Sequence, residues 1–370
     1  MDFVNETGMA AGWTLGFERD GRELLVIVVK GTYTLPSDGR SPTLAETQSE
    51  LTKADEFLGE PGLSATLRET DYSPRKLKCD VLLNGSAYSP DRHPAKAVEV
   101  VLRVDSMRKS FYVFGERRWR DFFLPPSGPE PFLRTAFSYG TAYGGSDCNQ
   151  DQPDKVRTYA DNPVGIGYHP IRRPSTLTHE LLPNTSDNKF PIADIKGRFR
   201  PMALGPIGRN VPPRYKFAGT YDKKWLEEEA PIWPADFSYE YFQCAPKEQQ
   251  LPFLTGGEQV ELVNLTPSGY LSFELPTRKI PVTCIPYRHA DVTTECVCDT
   301  LFFEPDLGIF SMTWRASIPL RRNLFELKQV IAGELPLSWR SKRRAQLAGK
   351  TYYASLAEAV ANRRPKGNIK

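Results

Sequence analysis

The residues that could carry chemistry are few. Histidine occurs only at His93, His169, His179 and His289, and no two of them have the three- or four-residue spacing that sets a pair of imidazoles on one helix face around a metal. Cys296-Val297-Cys298, with Cys284 and His289 upstream, has the donor types of a zinc site. Alternate residues of a strand share a face, however, and one spacer residue falls short of the usual two-residue knuckle, so these thiols are expected to fill one side of a core. Cys148 could act as a nucleophile beside a histidine, yet nothing around it has the local pattern of a thiol enzyme. Gly165-Ile166-Gly167 opens like a dinucleotide loop, but Tyr168-His169-Pro170 stands where a third glycine and a helix are required. Those glycines are expected to serve a tight turn or a close backbone approach. Asp222, Glu227, Glu228, Glu229 and Asp236 could supply the carboxylate pair of a glycosidase, although an acid run is more often a solvated helix face. The expectation is therefore of no catalytic constellation, cofactor, metal or small-molecule substrate.

The elements that must position these residues are strands. The chain has 370 residues, 40% hydrophobic and 25% charged, proportions that fold, but 32 prolines and 27 glycines keep its elements short. Leu24 to Leu35, Lys78 to Tyr88, Ala97 to Val104 and Ser110 to Gly115 are rich in β-branched and aromatic residues, with a turn signal at Asp20-Gly21. Leu51 to Leu58 reads as a short helix or edge element. From Pro125 to about Gln250 strand texture nearly vanishes, while the aromatics argue for packing and against disorder. It returns at Glu258 to Leu265, Tyr270 to Leu275, Thr293 to Phe303 and Gly308 to Ala316.

The predicted fold is mainly β: two antiparallel β-sandwich or barrel-like domains, 1–124 and 251–333, bridged by an irregular segment, 125–250, packed across the scaffold. The steps Arg118-Trp119 and Trp314-Arg315 suggest a weak internal repeat. A basic tail, 334–370, follows; from 340 to 370 it holds nine Lys or Arg against one acid, Glu358, and Ser341 to Val360 has helical spacing. No apolar run is long enough to span a bilayer, the first residues show no secretory apolar region, and six cysteines are scattered. These features predict a cytoplasmic protein with reduced thiols, and a net charge of +3 predicts neither a nucleic-acid nor a membrane partner.

Several longer motifs are jointly specific. They are Asn162-Pro163-Val164-Gly165-Ile166-Gly167-Tyr168, then Gly219-Thr220-Tyr221-Asp222 leading to Trp225, then Pro231-Ile232-Trp233-Pro234-Ala235-Asp236-Phe237. Tyr241 to Cys244 continues into Ala245 and Pro246, Gln249 follows, and Phe253 leads to Gly257, Glu258 and Val260. With Gly115 to Trp119 and Trp314-Arg315-Ala316, this set resembles the family labelled domain of unknown function 2169, over about residues 24 to 332. Lys247-Glu248-Gln249 stands where such proteins often show Pro-x-Asp-Gln. The resemblance implies a cytoplasmic adaptor or chaperone that holds a type VI secretion effector protein and helps load it onto a VgrG-type spike protein, with no catalytic residues. The motif aromatics suit a rigid recognition loop, and equally a loop that must fasten itself to a scaffold.

Overall fold

Leu24 to Val29 is apolar at every position, and a strand apolar on both faces must be covered on both. The computed structural model describes residues 1–37, 41–120, 124–149, 152–172, 174–335 and 337–363, and it shows that double cover. After β1 (Asp2–Asn5), a hairpin joins β2 (Ala10–Phe17) to β3 (Glu23–Thr34). Leu25, Ile27 and Val29 of β3 enter the main core, while Leu24, Val26 and Val28 face a second cluster with Leu51 and Tyr72.

Further along the chain come β4 (Cys79–Leu83), β5 (Ala97–Val104), β6 (Met107–Phe114), β7 (Thr185–Ser186) and β8 (Gln250–Leu251). The last run comprises β9 (Gln259–Val263), β10 (Tyr270–Glu274), β11 (Pro281–Pro286), β12 (Val292–Glu295), β13 (Val297–Glu304), β14 (Ile309–Pro319) and β15 (Leu327–Ala332). The largest sheet runs β8-β4-β13-β14-β3-β2, with Thr43–Leu44 also paired to β3. A second runs β7-β6-β5-β9-β10, and a third β1-β15-β11-β12.

Strands from 1–124 and from 251–333 thus share the sheets, and one core cluster takes side chains from both stretches. The texture change at 124 and 250 marks where strands stop and resume along the chain; in space the two β-rich stretches close on each other. Most pairings are antiparallel as expected. β4 and β13 are parallel, with Asp80 opposite Thr300, a pairing that needs a long crossover, and the central segment lies within that connection. β1 and β15 are parallel too. The two aromatic-basic steps occupy unlike places: Trp314-Arg315 lies inside β14, whereas Arg118 makes only an isolated bridge to Leu181.

Within the central segment α1 (Lys223–Glu228) carries the acid run on an exposed turn. Leu51 to Leu58 is irregular apart from an edge pairing at Glu56–Phe57. The tail forms two helices, α2 (Leu337–Leu347) and α3 (Leu356–Arg363), where the spacing suggested one from Ser341 to Val360. Gly349, at φ +66°, ends the first, with Gly349 N–H bonded to Gln346 O at 3.0 Å and Lys350 N–H to Ala345 O at 2.8 Å. Ser355 starts the second by accepting from Glu358 N at 3.2 Å. Of the basic residues counted in the tail, Arg364, Lys366 and Lys370 lie outside the described residues. No helix among the described residues is long and apolar enough to cross a membrane.

Candidate functional site

Strand alternation decides which residues of the large sheet meet polar partners. Phe310, Met312 and Trp314 of β14 point into the main core, so Ser311, Thr313 and Arg315 face the opposite layer. Lys30 of β3, Asp80 of β4 and Thr300 of β13 share that face. Burying charges costs several kcal/mol each unless they pair, and these pair closely. Arg315 Nε donates to Asp299 Oδ2 at 2.5 Å, and its Nη1 donates to the carbonyls of Asp71 and Ser73 at 2.6 and 2.7 Å. Lys30 Nζ lies 2.9 Å from Asp71 Oδ2, and Lys76 Nζ 2.7 Å from Asp80 Oδ2. Asp80 also accepts from Gln243 Nε2 at 2.8 Å, Cys244 N at 2.9 Å and Ala245 N at 3.3 Å. Glu69 meets Arg214 at 2.7 Å and Arg209 at 2.6 Å.

Charge dictates protonation here. Burial alone would lower the Lys76 value, but Asp80, together with Cys244, Asp299 and Glu69, outweighs it and holds the ammonium above its ordinary range. Burial would raise the Glu69 carboxyl; Arg214 and Arg209 outweigh that and hold it low. A narrow pocket lies among Lys30, Asp71, Lys76 and Arg315. Each of those charges is already spent on a neighbour, so the arrangement fastens the covering layer to the sheet.

The motif residues fall into two groups. The first fastens chain to chain, with Asn162, Gly167, Tyr168, Ala245 and Gln249 buried. Gln249 Nε2 donates to Val81 O at 2.8 Å and Leu204 O at 3.1 Å, and its Oε1 accepts from Lys109 Nζ at 2.7 Å. Lys109, pushed down to about 8 by burial against the pull of Glu248, pairs with Glu248 at 3.2 Å. Glu248 is thus the carboxylate beside Gln249. Pro246 O accepts from Gln249 N at 2.8 Å, and Ala245 packs with Leu82 and Phe302. Asn162 Nδ2 donates to Tyr139 O at 2.8 Å and Tyr143 O at 3.1 Å. A Cβ at Gly165 would lie 2.3 Å from Asn162 Nδ2, and Gly167 has φ +92°, so the glycines serve close approach, as expected. Pro163 sits between Asn162 and this crossing, and Tyr168 rings Tyr143 at 6.4 Å. Glu258 closes its own turn, accepting from Thr255 N at 2.7 Å and Gly256 N at 3.0 Å, while Gly257 N donates to Leu275 O at 2.8 Å.

The second group forms a lobe from 219 to 237, beside the end of β2. Beyond Gly219, Thr220 donates to Asp236 through N at 2.9 Å and Oγ1 at 2.8 Å, and Asp222 caps α1 by accepting from Trp225 N at 2.8 Å. Glu229 accepts from Ala235 N at 3.0 Å. Of the carboxylates that could serve a glycosidase, Asp222, Glu229 and Asp236 thus hold the lobe's own turns, and Glu227 lies 3.5 Å from Lys223 on the exposed helix. Trp225 Nε1 donates to Ile232 O at 2.9 Å across the Pro231 turn, Trp233 stacks on Phe237 at 4.3 Å beside buried Pro234, and Trp233 Nε1 donates to Phe17 O at 3.2 Å.

Phe17 ends a row that the sequence reading passed over. Trp13, Leu15 and Phe17 alternate along β2 and are 37%, 42% and 48% exposed. Among the described residues β2 pairs only with β3, and Glu18 N donates to Arg22 O at 2.8 Å. Bonded pairs recur at every second residue of an antiparallel ladder, so Trp13 and Leu15 turn their N–H and C=O groups to the open edge. Ile232 lies 3.0 Å from where a Cβ on Gly21 would be, and Tyr221, 52% exposed, packs on Trp225 at 4.7 Å. An apolar surface therefore runs from the β2 row onto the lobe.

The structure does not bring the other candidates together. Cys284, Cys296 and Cys298 pack in the main core, with burial pushing Cys284 up to about 11 and Cys296 up to about 12, while His289 is exposed in the turn after β11. Cys148 is exposed opposite Val156. The network residues Lys30, Asp80 and Asp299 escaped the sequence reading, although a charge inside a strand-like run was the available signal.

A family model described as "Uncharacterized protein conserved in bacteria (DUF2169)" matches residues 20–315. No curated protein and no solved structure matches the chain.

Proposed function

This chain belongs to the DUF2169 family, and from that premise we propose that it is an adaptor, a cytoplasmic chaperone that holds a type VI secretion effector protein and promotes its loading onto a VgrG-type spike protein. The observation that supports a protein-binding role is the exposed row Trp13, Leu15 and Phe17 on an open strand edge, continued by Ile232 and Tyr221. A long apolar edge strand invites pairing with another chain, and natural proteins usually blunt it with charge or cover it. Here it is left uncovered among the described residues, and the lobe beside it is held rigid by Asp222, Asp236 and Trp233. Rigid aromatic surface binds at small entropic cost.

The test is co-expression with each product of the flanking genes. The expected result is a soluble complex with an effector or spike protein that Trp13→Lys and Leu15→Lys abolish without lowering the melting temperature. A complex that survives both substitutions removes the assigned surface, and the absence of any complex removes the adaptor role. A protein found permanently within an assembled secretion particle would be a structural component instead.

A further inference from the structure

We infer that the groove between α2 and the β11–β12 hairpin binds an extended acidic segment of a partner protein, an inference that rests on the protein-binding role proposed above. Arg343 grips Asp291 with two bonds, Nε to Oδ2 at 3.0 Å and Nη2 to Oδ1 at 2.6 Å, which holds the helix against the hairpin. Between them lies an open groove, floored by Thr283 and Thr293 and walled by Trp339, Arg340, Arg344 and Leu347. The two threonine hydroxyls lie 3.1 Å apart.

Three features select the occupant. Asp291 is the sole carboxylate among the lining residues and is consumed by Arg343, so Arg340 and Arg344 face the groove with no carboxylate within 4.0 Å among the described residues. Their charge calls for acidic side chains. Among the described residues β12 pairs only with β11, so its other edge offers backbone groups that an added strand of about six residues can use. Trp339 and Leu347 supply an apolar wall for alternate side chains of such a strand. A nucleic acid would use the arginines but neither the strand edge nor that wall, which favours a protein segment.

The experiment presents the full chain to two arrays of short peptides, one alternating acidic with apolar residues and the other basic with apolar residues. The wild type should retain the acidic array, more weakly as salt rises. Arg340→Gln with Arg344→Gln should weaken that binding by about tenfold or more, and Arg340→Glu with Arg344→Glu should exchange the preference for the basic array. Both double variants should melt as the wild type does, because neither arginine has an ion-pair partner among the described residues. The inference is overturned if neither array binds, if the charge reversal leaves the preference unchanged, if oligothymidylate displaces the acidic peptides, or if the groove proves to be occupied by a second copy of the chain, seen as a dimer that the reversal dissolves. A flanking-gene product that binds wild type and reversed variant equally would leave the adaptor role standing and remove this groove. Charge exchange on the arrays with no flanking product captured would do the opposite.

Discussion

Asp80 receives the Lys76 ammonium, the Gln243 amide and the N–H groups of Cys244 and Ala245, all from chain outside its own strand. Asp80→Ala leaves a buried ammonium without its paired carboxylate, though still bonded to Thr300 Oγ1, and two backbone donors without an acceptor, and should cost about 3–5 kcal/mol in urea unfolding; a loss under about 1 kcal/mol would mean that the 243–245 turn is held by other contacts. Glu69 gives a pH test. Its carboxyl is held low in the folded state, so its contribution is complete above the unfolded value of about 4.3 and is lost as pH falls through the lowered folded value. The difference in stability between wild type and Glu69→Gln should therefore shrink on acidification below about pH 4.3, and a constant difference would contradict the pairing with Arg214 and Arg209. Lys109 is lowered too, by burial, and acts in the same direction at higher pH: folded at about 8 against an unfolded value of about 10.4, it lets the unfolded chain bind more protons between the two, so stability rises with pH through that interval. Lys109→Met should lack this rise relative to wild type.

At the scale of elements, β3 was legible because its six consecutive apolar residues are mostly β-branched, which favours a strand buried on both faces, and Trp314 because the alternate residues Phe310, Met312 and Ala316 are apolar. Trp314→Ala should cost about 3–5 kcal/mol by leaving a cavity in the main core, and unchanged melting would place the ring elsewhere. Pairing partners were not legible. Nothing local to Val81 or Leu301 announces that β4 and β13 lie side by side, because that contact is fixed by what the whole sheet buries. β2 escaped for a related reason: Gly12 and Gly16 break its strand texture, yet each lies where a Cβ would strike Tyr72 or Pro74 of the covering layer. The network that fastens this layer was visible only as single charges in apolar strands, since its partners are distant in sequence, as Asp71 is from Arg315.

For the molecule as a whole, the sheets end at Ala332 and the remaining helices sit outside the core, so removing 334–370 should leave melting nearly unchanged. The same truncation removes the arginine wall facing β12, and should slow association with an acidic partner at low salt while leaving dissociation less affected. The central claim is that a partner protein docks on the open edge of β2 and the adjoining lobe. Amide hydrogen exchange, compared between the free chain and its complex with a flanking-gene product, tests this most directly because Trp13 and Leu15 present their N–H groups at that edge. Protection of residues 11–17 and of 219–237 in the complex is the predicted result; a complex that forms while those amides exchange as fast as in the free chain would contradict it.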